Sequence, residues 1–128
     1  MTHENSIYPK DWIGKAEKDW RRVRLLLDGG DVEGAAFHLH QALEKFLKGY
    51  LLAKGWKLRR IHDLEVLLKE AVRYEPEWIK YEALCQRAKF FYLERYPLMT
   101  SSTLDRAMVD EVVSQSGAWI EDIGKEVP

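Results

Sequence analysis

Cysteine is nearly absent: Cys85 is the only one in 128 residues. An intramolecular disulfide and a thiolate metal cluster are therefore excluded. Apolar runs stop at four residues, as in Tyr50–Ala53 and Phe90–Leu93, whereas a membrane span needs about 20. Charge of one sign is missing too. Twenty Lys and Arg against 21 Asp and Glu leave a net charge of −1, so no global basic field draws the molecule to nucleic acid. Glu4, Asp11, Glu17 and Asp19 interrupt the first 25 residues, so no secretory signal is visible there and the cytoplasm is the expected location. Proline (4) and glycine (8) are scarce and sit at boundaries, and no repeat or low-complexity tract is present. Alternating β-branched runs are missing, so strands are not expected. What remains, 46% apolar and 32% charged, is the composition of one soluble globular domain over residues 1–128.

Helical spacing fills the chain. A first helix is predicted from Pro9 to Asp28, with Trp12, Ala16, Trp20, Val23 and Leu27 as its inward stripe and Gly29-Gly30 as its stop. Asp31 is placed to cap a second, Val32 to Lys54, whose stripe is Ala36, Leu39, Leu43, Phe46 or Leu47, and Tyr50. A short third runs from His62 to Arg73 on Leu64, Leu67, Leu68 and Ala71. The fourth spans Glu77 to Glu94 with Trp78, Tyr81, Cys85, Ala88 and Tyr92 on one face. Thr103 is placed to cap the fifth, Leu104 to Gly124, with Met108, Val112, Trp119 and Ile123 inward. Long helices with short connections pack as antiparallel neighbours. The expected fold is thus all-α, an antiparallel up-and-down bundle of four long helices with a short extra one.

Charge is uneven along this chain. Lys45, Lys48, Lys54, Lys57, Arg59 and Arg60 form a basic stretch with no acidic residue, and Asp105 to Glu126 holds six acidic residues against two basic. Two solvated faces that cancel explain this as well as an anion site at the end of the second helix. Cations near a helix C-terminus also suit its dipole without any ligand. Chemistry is harder to find. His38 and His40 point about 200° apart around a helix and cannot grip one metal. His62-Asp63, with an upstream histidine and Asp105 or Asp110 downstream, loosely matches a helical metal phosphohydrolase. The plainer expectation is that the pair opens the third helix. Cys85 falls on an apolar stripe and is expected in the core. No Gly-rich phosphate loop or nucleophile elbow is present, and neither metal nor cofactor is expected.

The polar side of the second helix is more informative. Gln41, Lys45 and Lys48 share one face, with Glu44 beside them, and the fourth helix ends in Tyr92-x-x-Arg95-Tyr96-Pro97. Arg95 presents a fork suited to phosphate, and Tyr96 a stacking face. Brought together, Lys45, Lys48 and Arg95 make a cationic spot for a nucleotide phosphate. In the plainer alternative Arg95 pairs with Glu44 and the tyrosines fill the end of the bundle.

These strings together resemble the HEPN family. The residues that carry the likeness are Trp12-x-x-x-Ala16-x-x-Asp19-Trp20, His40-Gln41-Ala-Leu-Glu44-Lys45-Phe-Leu-Lys48, Gly55, His62-Asp63-Leu64 and Tyr92-x-x-Arg95-Tyr96-Pro97. They cover about residues 11–100. The resemblance implies an antiparallel helical bundle that commonly forms homodimers, and one of two functional classes. One class comprises ribonucleases, many of them toxins, that carry Arg, four to six residues, then His. The other lacks that motif, works beside a minimal nucleotidyltransferase, and is proposed to bind its nucleotide or substrate.

No histidine here follows an arginine at that spacing, so the non-nuclease class is the expectation. In-line RNA cleavage needs an acid–base group beside a cationic stabiliser, and the family's usual pair is missing. The resemblance then implies Gln41, Lys45, Lys48, His62, Arg95 and Tyr96 as nucleotide- or phosphate-binding residues, with no membrane role. Trp56 or Phe90 is expected at a homodimer or partner contact. The rival expectations are a ribonuclease toxin with a substitute dyad, His62 with Arg95 or Arg59, and a purely structural dimeric adaptor. RNA is a partner only under the first.

Overall fold

The computed structural model describes residues 6–93 and 104–128, which form helices and no strand. In chain order these are α1 (Pro9–Asp28), α2 (Val32–Ala53), α3 (Leu64–Val72), a 3-10 helix (Pro76–Tyr81), α4 (Glu82–Leu93) and α5 (Arg106–Glu126). The class is all-α, as expected. No helix among the described residues is long and apolar enough to cross a membrane.

Local chemistry sets the helix ends. Pro9 sits in the first turn of α1, where its missing N–H is no loss. Gly30 takes φ +85 in the turn to α2, a conformation that favours glycine. Asp31 then caps α2 by accepting from the Gly34 N–H at 2.8 Å. Contacts between α1 and α2 run in opposite chain order: Pro9 and Ile13 meet Gly49, Asp19 meets Lys45, and the Gly29–Asp31 turn closes the pair. The second helix is the hub. It packs on α1, α3, α4 and α5, which is why Ala35, Ala36, Leu39, Leu43, Phe46, Leu47, Tyr50 and Leu51 are all buried. Opposite them, Trp119 of α5 stacks on Tyr81 at 4.4 Å and meets Trp78 edge-on at 5.9 Å, joining α5 to the 3-10 helix.

Four expectations are corrected. The fourth helix does not begin as an α-helix: Pro76 opens a 3-10 turn whose three-residue period sets Trp78 and Tyr81 on the same inward side. His62 lies ahead of α3 rather than within it, and Asp63 is the cap, accepting from Glu65 N at 2.9 Å. The fifth helix is capped by Asp105, whose carboxylate accepts from Met108 N at 2.9 Å, and it runs past Gly124; Thr103 lies outside the described residues. The inward stripes also differ. Asp19 replaces Trp20 in α1; Leu84 and Phe91 join α4 while Tyr92 is only half-buried; Val109 and Ser116 are buried in α5 while Met108 is only half-buried.

The two helices α1 and α2 approach closely at Gly49, where a Cβ would stand 2.7 Å from Ile13 Cδ1 and 3.2 Å from the Pro9 carbonyl oxygen. The isoleucine tip can yield, but the backbone cannot. Gly49→Val is expected to destabilise the protein by about 1–3 kcal/mol in urea unfolding, with Gly49→Ala costing less.

Candidate functional site

The polar face of α2 is mostly inside. Asp19, on the inward stripe of α1, accepts from Lys45 Nζ at 2.6 Å, His38 Nδ1 at 2.8 Å and Arg22 at 3.3 Å. One turn away Glu44 accepts from Lys48 Nζ at 3.0 Å and from His62 Nδ1 at 3.1 Å. The Glu44 and Lys48 side chains are each only 4% exposed, whereas His62 is 63% exposed. A buried carboxylate is tolerated only when paired and hydrogen-bonded, and here each has a lysine and an imidazole.

The lysines are therefore not free. Lys45 and Lys48, expected to offer charge to a phosphate, are neutralised by Asp19 and Glu44. The physical reason is the α1–α2 contact: an unpaired lysine on this arc would be buried as a bare charge. Lys48 also lies 5.2 Å from the centre of the Trp12 ring. Gln41 is half-buried, its Oε1 accepting from His40 Nδ1 at 3.3 Å. The sequence-predicted residues His62 and Lys48 thus meet on one carboxylate, Lys45 sits on another, and Gln41 bonds the buried His40. Arg95 and Tyr96 lie outside the described residues.

Carboxylate and amide oxygens only accept, so the Nδ1 of His38, His40 and His62 carries the proton in each neutral ring. This turns Nε2 of His62 outward as an acceptor. His40 is different: it is fully buried, and its Nε2 has no hydrogen-bond partner. Burial holds it below the ordinary histidine value of 6.5, against the opposing pull of the Glu44 charge. Burial alone would raise the Asp19 carboxyl, but hydrogen bonds from Lys45 and His38 outweigh it and hold that group below 3.8.

The end of α4 reaches this region. Tyr92 stacks on His40 at 4.6 Å, and Lys89 binds Asp63 at 2.9 Å. Glu44, assigned to Arg95 in the plainer alternative, is held by Lys48 and His62. Asp63 serves as the cap of α3, and among the described residues no group of three His, Cys, Asp or Glu is gathered to hold a metal ion. Cys85 is core, its thiol pushed up to about 12 by burial. The basic stretch is partly cancelled across helices, Lys54 by Glu126 at 3.1 Å and Arg59 by Glu70 at 3.3 Å. Trp56 and Phe90 are half-buried and pack on the core.

Sequence reasoning quoted Asp19 in the family string but left it off the inward stripe and did not pair it with His38. The spacing 12, 16, 19, 23, 27 is as helical as the one that includes Trp20, and only the greater apolarity of tryptophan hid it.

Two outcomes follow from the geometry. Asp19→Ala strands Lys45 and His38 and is expected to cost about 2–3 kcal/mol in urea unfolding. The fold keeps His40 neutral while the unfolded chain binds a proton near pH 6.5. Stability contributed by that ring is thus complete above pH 6.5 and is lost as pH falls below it. His40→Phe is expected to reduce this loss, read by comparing urea midpoints at about pH 7.5 and about pH 5.5.

No curated protein and no solved structure matches the chain closely enough to enter the comparison. The HEPN domain family matches residues 9–122, nearly the whole length and all of the polar arc described above. By that match the chain belongs to the HEPN family.

Proposed function

We propose that this HEPN chain is a non-nuclease binding module that holds the nucleotide or substrate of a separate minimal nucleotidyltransferase, within a toxin–antitoxin pair. In this reading residues 1–128 are one cytoplasmic domain, an antiparallel four-helix bundle with a short extra helix, and two copies form a homodimer. The sequence supports it by lacking any histidine five to seven places after an arginine. The observation that carries it is the Glu44 bridge, which holds Lys48 and His62 together beside Gln41 and the end of α4. Lys45 and Lys48 keep two buried carboxylates balanced, Gln41 gives a directional hydrogen bond, and His62 is the accessible contact. Arg95 and Tyr96 enter on the sequence alone, as phosphate fork and stacking ring.

ATP titrated into the purified protein is expected to bind saturably, with Arg95→Ala and His62→Ala each weakening it at least several-fold. Absence of binding, with the contact to the nucleotidyltransferase intact, would leave a structural adaptor. A ribonuclease reading has one observation in its favour: Glu44 fixes the Nδ1–H of His62 and frees Nε2 as a base. Incubation with RNA is expected to give no cleavage, and cleavage abolished by His62→Ala would overturn the binding module.

A further inference from the structure

Two helices that pack on α2 carry opposite charge. From Pro9 to Asp28, α1 holds six Lys and Arg against four Asp and Glu; from Arg106 to Glu126, α5 holds two against five. The bonds between them gather at one end. Arg24 lies 3.8 Å from Asp110, and Arg106 reaches Asp28 at 3.8 Å and the Leu27 carbonyl at 2.8 Å. Elsewhere Arg22 is spent on Asp19, Glu111 on Arg87 and Glu126 on Lys54, and Asp11 is held by the Ser6 hydroxyl. Among the described residues, Lys10, Lys15, Lys18 and Arg21 of α1 pair with no carboxylate, and Glu121 and Asp122 of α5 pair with no cation. Glu17 on α1 and Lys125 on α5 are the unpaired minority charges. The exposed side of α1 thus stays positive and that of α5 negative.

The flanks that these helices turn towards each other are apolar and open. Arg106, Asp110, Val113, Gly117 and Ile120 step by four and three, so the stripe of α5 that bonds α1 at its start continues through half-buried Val113 and Ile120. On α1, Ile13, Glu17, Trp20 and Arg24 make the matching stripe, with Ile13 and Trp20 half-buried. Away from their shared end both helices pack on α2 rather than on each other. A Cβ added at Gly117, or at Gly14 on the exposed side of α1, would meet nothing within 4 Å. Glycine in mid-helix weakens the helix, and among the described residues no group comes near enough to need that space.

We propose that a second copy of this chain covers this face, with α1 of each protomer lying along α5 of the other. The inference rests on the homodimer of the proposed function and names its surface. The end of α1 meets the start of α5, and the end of α5 lies at the end of α2 where α1 begins, so α1 and α5 run in opposite directions. A two-fold axis parallel to the helices therefore sets each α1 antiparallel on the other copy's α5, and every contact occurs twice. At about 1.5 Å per residue from the level of the Arg24–Asp110 contact, Glu121 of one copy comes level with Ile13 of the other, one turn from Lys10. Arg21 comes level with Val113, one turn from Asp110. Packing α1 on α1 would set like charges against each other, so charge selects the crossed pairing.

Analytical ultracentrifugation over a concentration series reads the assembly, and ATP titrated into the same samples reads the binding module separately. The unaltered chain is expected to sediment as a dimer. Gly117→Arg points into open space on its own chain, so the fold is not at risk, and it sets bulk and like charge before the other copy's α1. It is expected to raise the dimer dissociation constant at least about tenfold. Lys10→Glu is expected to weaken the dimer, and Lys10→Glu with Glu121→Lys in one chain is expected to restore it. A monomer at every concentration overturns the inference together with the homodimer and leaves the face to a different protein. A dimer unmoved by Gly117→Arg and by Lys10→Glu also overturns it, because the two copies then meet elsewhere. In either case saturable ATP binding leaves the binding-module reading standing, and its absence removes that reading on its own.

Discussion

Two buried carboxylates organise this molecule, Asp19 between α1 and α2 and Glu44 between α2 and the loop before α3. Asp19 and Glu44 are both buried, and each is held by one lysine and one imidazole. A charge so placed is costly unless its partners are in position. That requirement fixes the rotation of α1 against α2, and the Gly49 contact sets how closely the two approach. The position of the loop before α3 follows, because His62 must reach Glu44. The polar arc is thus structural before it is functional: its lysines are spent on internal balance, and its outward chemistry is left to histidine.

Under the proposed function, this alters how the chain would meet a phosphate. A cluster of free lysines would attract anions at all times and would need water around every ammonium. Here Lys48 is withdrawn into a buried pair, and the accessible group is the His62 imidazole.

Much of this was legible in the sequence. Helix-period stripes, glycine stops and the cap at Asp31 follow from local chemistry, and α2 was read within one residue of its observed end. The stripe of α3 was read in full. What failed were decisions made by tertiary contact. Trp20 outranks Asp19 on any apolar scale, yet two donors from α2 make the aspartate the better-buried residue. The face of Gln41, Lys45 and Lys48 looked solvated, because nothing in α2 itself shows that α1 covers it. The fourth helix was read as α from Glu77 onward, but its first turns are 3-10 and bring Trp78 and Tyr81 to the same aromatic cluster.

The central claim is that buried carboxylates lock the protonation pattern of the imidazoles they hold. Nitrogen-15 NMR of the histidine rings reads this directly, since protonated and bare ring nitrogens resonate far apart. In the neutral form, His38 and His62 should both show the hydrogen on Nδ1 and a bare Nε2, and His62 in Glu44→Gln should lose that single pattern. A hydrogen on Nε2 of neutral His62, or a pattern unchanged by Glu44→Gln, would contradict the account.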